Sequence, residues 1–509
     1  MGIVNFLFGA SGQDWIRFVI FLFGLFGFVG LAEVTRAKLG WPAEVTRKLV
    51  HILVGTLVFF TPYVFESNRP LIWLALLFIV INYLSVRSDS LKGMHSTERI
   101  SLGTVFYPVT FLVLTITCWQ NHKVILMLSM LILAWPDALA AIVGENLKHP
   151  HEYQWTSDKK SIEGSLTLFV GTFLIIAVLL PLIGHIDGLT VSPLDAIWIG
   201  AIVALIVVPL EALSAQGSDN LSAPLGAAFI LYYMITHGYE DNIRLSAGIG
   251  LALLVAVVSV RVKFLTISGS AGTFLLAAVI FGMGGWRWSV PILSFFLLSS
   301  LLSKIGKTYK AQFELIFEKS SQRDLSQVLA NGGLAGCMMI GDVFFPNGLW
   351  YDLYLGAIAA VNADTWATEI GIFSKIPPRS IRNFRTVPHG TSGGITLLGL
   401  LSALIGSFLI VLVGSFSAPS GLDLVIFGRV FWMIVFGGWI ASLIDSLLGA
   451  TIQAQHRCPV CDKITEKKRH CGGEKTEHVS GLSWLNNDWV NGLCSLSSVS
   501  LILMGMFFS

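Results

Sequence analysis

The chain has 509 residues, 54% apolar and only 13% charged, with 33 Lys and Arg against 31 Asp and Glu. That charge content is about half the roughly 25% of a soluble globular protein, so a string of water-exposed domains is excluded. The net charge of +2 names no partner, and no nucleic-acid partner is expected; six cysteines, three in one polar loop, make no disulfide framework and suit a reduced compartment.

Apolar runs separated by polar punctuation predict helical spans in two groups. The first comprises 15–34, 49–65, 71–86, 104–119, 124–143, 165–184 and 196–210. The second comprises 224–236, 246–262, 270–283, 288–302, 327–345, 352–370, 392–414, 427–448 and 491–508. The fold class expected is all-α, a polytopic membrane protein with about 16 transmembrane or re-entrant helices in two bundles, residues 1–236 and 237–509. The runs 224–236, 270–283 and 327–345 are short or Gly-rich enough to be re-entrant. The apolar N-terminus carries no basic n-region and no small-residue cleavage site before Glu33, so it reads as a retained first helix.

With the N-terminus on one side and alternation thereafter, 27 of the 33 Lys and Arg fall on the opposite side. Only Arg17, Arg69, Lys123, Arg244, Arg287 and Arg429 remain behind. The positive-inside rule makes the cation-rich side cytoplasmic, and a bacterial cytoplasmic membrane is the expected location.

The loops of that side in the first group hold Arg47-Lys48 with His51, Glu98-Arg99 leading to Tyr107-Pro108, Asp137, Glu145, Asp158-Lys159-Lys160-Ser161-Ile162-Glu163-Gly164-Ser165, Glu211 and Asp219-Asn220. Acids at the mouth of a helical bundle need partners, and acids beside lysines suit a Mg²⁺-nucleotide: carboxylates take the metal, Lys and Arg the phosphate oxygens. Paired Arg47-Lys48 before a span is also what the positive-inside rule supplies by itself. In order and spacing, residues 47–52, 98–108, 137–144, 159–165 and 219–224 resemble the phytol, farnesol and dolichol kinase family, related to phosphatidate cytidylyltransferases. The resemblance covers residues 30–235 and implies transfer of a phosphoryl group, commonly from CTP, to an isoprenoid alcohol in the bilayer. It places Asp137, Lys160, Glu163, Asp219 and Asn220 at the nucleotide and metal site, with Asp137 and Asp219 on Mg²⁺; Arg47, Lys48, His51, Lys159 and Ser161 lie beside them. Pro136 stands where the family pattern has glycine, and the His-Gly-Gly…Asp-Arg signature of the cytidylyltransferases is missing.

The second group carries Arg323-Asp324, Asn331-Gly332-Gly333, the string Asn362-Ala363-Asp364-Thr365-Trp366-Ala367-Thr368-Glu369-Ile370-Gly371, and Gly390-Thr391-Ser392-Gly393-Gly394. Asp445, Asn487-Asp488 and Asn491 follow. Gly-Thr-Ser-Gly-Gly at a helix start offers backbone N–H groups to an anion; as a sequence it is also an ordinary glycine-rich turn. No Gly-x-x-x-x-Gly-Lys-Ser/Thr run occurs, which excludes a P-loop ATPase. Over residues 245–509 these motifs resemble the family of eukaryotic transmembrane protein 19 and the plant phytyl-phosphate kinase, implying phosphorylation of an isoprenyl monophosphate to the diphosphate. The resemblance makes Asn331, Asn362, Asp364, Glu369, Asp445 and Asp488 the candidates, joined by Thr391, Ser392 and Asn491; Asp364 and Asp445 are assigned to Mg²⁺ and Arg323 and Arg385 to phosphates.

In the polar loop 451–490, Cys458 and Cys461 with His470 and Cys471 provide the ligands of a Cys₃His structural Zn²⁺ site; a reduced polar loop is the alternative. The expectation is a bifunctional, Mg²⁺-dependent kinase using CTP or ATP. It would salvage phytol, farnesol or geranylgeraniol through the monophosphate to the prenyl diphosphate. The alternatives are a cytidylyltransferase-like first half, or an isoprenoid or lipid-phosphate transporter, which would hold its charges near the bilayer midplane.

Overall fold

The structure is a computed structural model that describes residues 9–88, 102–306, 322–418, 425–462, 464–471 and 473–508. Glu98 and Arg99 lie outside the described residues. The protein is an all-α polytopic membrane protein: among the described residues, ten helices are long and apolar enough to cross a membrane. The chain divides into two compact units, residues 1–242 and 243–509.

The first unit runs α1 (Gly12–Leu39), α2 (Ala43–Phe59), the single turn α3 (Thr61–Val64), α4 (Arg69–Ser88), α5 (Gly103–Cys118), α6 (Lys123–Ala134), α7 (Pro136–Asn146), α8 (Ile162–Ile183), α9 (Pro193–Ala212) and α10 (Asp219–Thr236). Its centre is α6, in which every residue from Val124 to Ala134 is buried. The Asp187 carboxylate holds its start by accepting the N–H groups of Lys123 and Val124 at 3.0 and 2.8 Å. Its end is set by Pro136, which has no N–H to continue the ladder and instead opens α7, where proline is tolerated. Asp137 therefore sits in the first turn of α7, directly beyond the most buried helix. A short hairpin of β1 (Glu152–Tyr153) and β2 (Lys160–Ser161) pairs Tyr153 with Lys160 and delivers the chain to α8.

The boundary between the units falls in the first turn of α11 (Tyr239–Arg261). The second unit continues with α12 (Ile267–Lys304), α13 (Leu325–Phe344), α14 (Gly348–Gly371), α15 (Leu397–Ser417), α16 (Arg429–Thr451) and α17 (Asn487–Phe507). A straight helix with the 38 residues of α12 would be about 57 Å long. The chain instead reverses at Gly285, whose φ of 64° and ψ of −161° are open to glycine alone. The reversal follows from contacts at both ends: Lys304 Nζ donates to the Val262 carbonyl at 3.0 Å and the Phe296 ring meets Phe264, just before the start of α12. The two spans expected at 270–283 and 288–302 are thus the arms of one hairpin. The runs 224–236 and 327–345 form continuous helices, α10 and α13.

At the core of this unit, α14 is buried without interruption from Tyr351 to Ala363. Glycines and serines of the neighbouring helices let backbones approach closely, the usual packing when lipid supplies no hydrophobic drive. Asn362 ties three helices together: its amide donates to the Gly406 carbonyl at 2.8 Å and its oxygen receives Ser299 Oγ at 3.4 Å. Among the described residues of this unit, strands are confined to the hairpin β3 (Arg379–Ser380) with β4 (Gly394–Ile395) and to the connector between α16 and α17. The connector holds β5 (Gln455–Arg457), β6 (Ile464–Thr465), β7 (Arg469–His470), β8 (Glu474–Lys475) and β9 (Glu477–Ser480), with sheet order β6-β5-β9 and a separate β7-β8 pair.

Candidate active sites

The polar residues singled out in the first unit converge on one cavity of about 1230 Å³. Its lining includes the apolar Leu25, Phe26, Val54, Val58, Phe78 and Phe111 and the polar wall residues Arg47, Lys48, His51, Asp137, Lys159, Lys160, Ser161, Asp219 and Asn220. Lys160 is the hub of that polar wall, paired with Glu211 and, at 3.2 Å, with Asp219 Oδ2. Burial works against its ammonium, but Glu211 and then Asp219 outweigh it and hold the pKa above the usual lysine range. Lys48, itself buried, is paired with Glu145. His51 Nε2 lies 2.9 Å from the Leu133 carbonyl, so that nitrogen carries the proton and Nδ1 is left as the acceptor. The His51 ring meets Tyr107 edge-on at 4.9 Å, and the Tyr107 hydroxyl is buried with no hydrogen-bond partner among the described residues.

Three expected residues play local parts. Ser161 caps α8, its Oγ accepting the Gly164 N–H at 3.1 Å. Lys159 pairs with Glu152 at 3.1 Å on an exposed edge. Glu163 does not line the cavity; its carboxylate takes the His151 backbone N–H at 3.1 Å and lies 2.6 Å from His151 Nδ1. Glu145 and Glu211, which the sequence left without a role, are the partners of the buried Lys48 and the half-buried Lys160. The requirement that an intramembrane cation be paired points to such acids, but not to which ones.

The donor set fits Mg²⁺. Asp137, Glu211 and Asp219 supply hard carboxylate oxygens close enough to interact with one another, and Asn220 adds a buried Oδ1 with no hydrogen-bond partner among the described residues.

In the second unit Asp364, one residue past the buried stretch of α14, and Asp445 of α16 face each other within hydrogen-bonding reach. Asp445 Oδ2 is buried with no hydrogen-bond partner among the described residues. Two carboxylates in contact repel unless a proton or a cation lies between them. Asn491 Nδ2 donates to Asn331 Oδ1 at 3.2 Å, joining α17 to α13. Arg323 lies 5.7 and 6.0 Å from the rings of Phe295 and Phe296, is attracted by Glu369, and lines a cavity of about 60 Å³ with Gln327 and Asn331. Asp488 stands in the first turn of α17. Arg385 is exposed in the β3-β4 loop.

The Gly-Thr-Ser-Gly-Gly segment departs from expectation. It precedes α15 as part of the β3-β4 hairpin, and the helix begins only at Leu397, capped by Thr396 Oγ1, which accepts the Gly399 N–H at 3.0 Å. Its N–H groups are therefore not those of a helix start. The segment packs instead on the end of α16: Ser392 Oγ donates to Gln453 Oε1 at 3.3 Å, and a Cβ on Gly393 would lie 2.4 Å from Ala450 Cβ. Thr391 is exposed and donates to the Pro388 carbonyl at 2.8 Å.

In the connector, the ligand atoms of Cys458, Cys461, His470 and Cys471 all lie within 4.8 Å of one another. Burial raises the Cys458 thiol, but the N–H groups of Cys461 and Val460 and the His470 ring reverse the effect and bring it down to about 6. The Cys471 thiol, hydrogen-bonded to Cys461, is pushed up to about 11.

Residues 250–499 match the family model described as integral membrane protein DUF92. Protein PGR of Arabidopsis thaliana is 33% identical over 273 residues, covering 50% of this chain and 92% of that protein. A protein named phytol kinase from Synechocystis is 34% identical over 196 residues, 38% of this chain and 79% of its own length. Protein VTE6, chloroplastic, of Arabidopsis thaliana is 26% identical over 255 residues, 48% and 66% respectively. No solved structure matches. The chain belongs to the integral membrane protein DUF92 family.

Proposed function

We propose that the protein is a membrane kinase that phosphorylates an isoprenoid alcohol in its first unit and the resulting isoprenyl monophosphate in its second, with CTP or ATP as donor. The observation that carries this reading is that one cavity of the first unit is lined both by apolar side chains of α1, α2 and α4 and by Lys160, Asp137 and Asp219. A prenyl chain packs on the apolar side chains with its hydroxyl at the charged ones, while the donor's phosphates meet Arg47, Lys48 and Lys160. The relative named phytol kinase supports that substrate class. Mg²⁺, held by Asp137, Asp219 and the Asn220 oxygen, would neutralise phosphate charge. The alcohol oxygen attacks the γ-phosphorus as the bond to the nucleoside diphosphate breaks, and Asp137 takes the hydroxyl proton. Lys160, fixed by Glu211, offsets charge on the transferred group without itself being released into solvent. In the second unit the acceptor is already an anion and needs no such base; Asp364 and Asp445 supply the metal ligands there. Both sites face the cytoplasm in this reading, as the cation distribution requires.

The test uses purified protein in detergent with Mg²⁺, γ-labelled CTP or ATP and phytol, farnesol or geranylgeraniol, following label into mono- and diphosphate. Asp137→Asn should abolish monophosphate formation and spare the diphosphate step when monophosphate is supplied; Asp364→Asn should do the reverse. Retention of both activities in both variants refutes the two-site assignment, and a CDP-lipid product refutes phosphoryl transfer in the first unit.

A further inference from the structure

The connector between α16 and α17 has no part in the chemistry proposed above, yet it contains a tightly convergent group of soft ligands. Cys461 Sγ and Cys471 Sγ lie 3.4 and 3.1 Å from His470 Nδ1, and Cys458 Sγ completes the cluster. A tetrahedral Zn²⁺ with bonds of about 2.3 Å to sulfur and about 2.0 Å to nitrogen sets its ligand atoms about 3.5–3.8 Å apart, close to this spacing.

Two features of the backbone point the same way. The Asp462 N–H closes a turn on the Cys458 carbonyl at 2.9 Å, which folds the Cys-Pro-Val-Cys segment back on itself. Asp462 and Cys471 have φ of 57° and 41°, a left-handed conformation that side chains disfavour. Adjacent residues of an extended strand point to opposite faces, so His470 and Cys471 reach one centre only because the backbone turns at Cys471. Strain of this kind persists where something holds it.

We infer that Cys458, Cys461, His470 and Cys471 bind one structural zinc ion that fixes the connector. Three thiolates and an imidazole are a soft donor set with no position left for substrate, which selects zinc over Mg²⁺ and a structural over a catalytic role. The ion braces a segment whose two ends are already zipped together: the Ala454 N–H donates to the Leu485 carbonyl and the Leu482 N–H to the Ile452 carbonyl, each at 2.9 Å. Those ends belong to the helices that carry Asp445 and Asp488. The site stands independently of the kinase reading.

Metal analysis of protein purified without chelator should return roughly one zinc per chain. That zinc should vanish in Cys458→Ser and Cys461→Ser and persist in Cys337→Ser, whose exposed thiol lies elsewhere, on α13. Replacement by Co²⁺ in the unmutated protein should give the sulfur-to-cobalt charge-transfer and tetrahedral d–d bands, which decides the matter even where the serine variants fail to fold. Chelation should expose the connector to proteolysis between residues 458 and 476. Zinc no higher than in Cys458→Ser, a Cys458–Cys461 disulfide by mass spectrometry, or iron in place of zinc overturns the inference.

Discussion

Replacing Lys160 with methionine tests the electrostatic core of the first unit. The Lys160, Glu211 and Asp219 side chains are 18%, 10% and 22% exposed, so the substitution leaves two largely buried carboxylates facing each other without their counter-cation. Removing one member of a buried ion pair costs roughly 3–5 kcal/mol, and the residual exposure here favours the lower end, about 3 kcal/mol. For a unit of 242 residues, at about 2–4 °C per kcal/mol, the unfolding midpoint in detergent should fall by about 6–12 °C. The double variant Lys160→Met/Glu211→Gln removes one of the stranded charges and should recover part of that loss, a non-additivity of about 0.5–3 kcal/mol. Alcohol phosphorylation should drop by about 10²–10³, the scale for deleting one preorganised charge-stabilising group.

The pH dependence has a definite sign. Folding raises the Lys160 pKa, so its stabilisation is complete below the unfolded value of about 10.4 and is lost only as pH rises through the folded value. The interval between wild type and Lys160→Met should therefore persist up to about pH 9 and narrow toward pH 6, where the carboxylates stranded by the substitution can take protons. Differential scanning fluorimetry across that range is the assay. A Lys160→Met protein that melts within about 2 °C of wild type and keeps its alcohol kinase activity would refute the reasoning.

Gly393→Ala puts a Cβ 2.4 Å from Ala450 Cβ and 2.5 Å from the Ser446 carbonyl, at a φ of 73°. It should cost about 1–3 kcal/mol and impair phosphorylation of added monophosphate while sparing the alcohol step, as product analysis will show. Asn362→Ala removes the bonds to Gly406 and Ser299 and should lower the melting midpoint by the equivalent of about 1–3 kcal/mol; the KM for nucleotide, measured below the melting range, should not move. In intact cells expressing a cysteine-light protein, an impermeant maleimide should reach Thr190→Cys from outside and leave His149→Cys unlabelled until the membrane is opened; the opposite pattern inverts the orientation.

The spans were legible because a bilayer imposes a length on apolar runs and punishes internal charge; the predicted runs fall on helices or on the arms of the α12 hairpin, except that 49–65 divides into α2 and α3 and 124–143 breaks at Pro136 into α6 and α7. Helix starts were less legible. At 390–397 the glycines suggested a helix opening, but Thr396 provides the cap, a distinction made by backbone geometry within one turn. The first site was legible as a set of polar residues, since every member except Glu163 lines the cavity; its pairing was not. Lys48 finds Glu145 97 positions away and Lys160 finds Glu211 51 positions away, distances at which no local pattern identifies a partner. Asn362 shows the same limit from the other side: inside a motif that suggested ligand binding, its amide holds helices together.

The two units reach a similar solution by different residues. In each, an acid lies just past the most buried stretch of helix: Asp137 in the first turn beyond Val124–Ala134 in the first unit, Asp364 next to Tyr351–Ala363 in the second. A helix that meets protein on every side is one along which a carboxylate can be placed without facing lipid, where it would be costly and unpaired. The end of such a helix is also where the backbone can break, as Pro136 makes it do between α6 and α7, and where loops bring lysines and amides to bear. The same burial that stabilises the central helix thus fixes where its terminal acid lies relative to the surrounding helices. A phosphoryl-transfer site requires that fixity, because its rate depends on charges held in place before the substrate arrives.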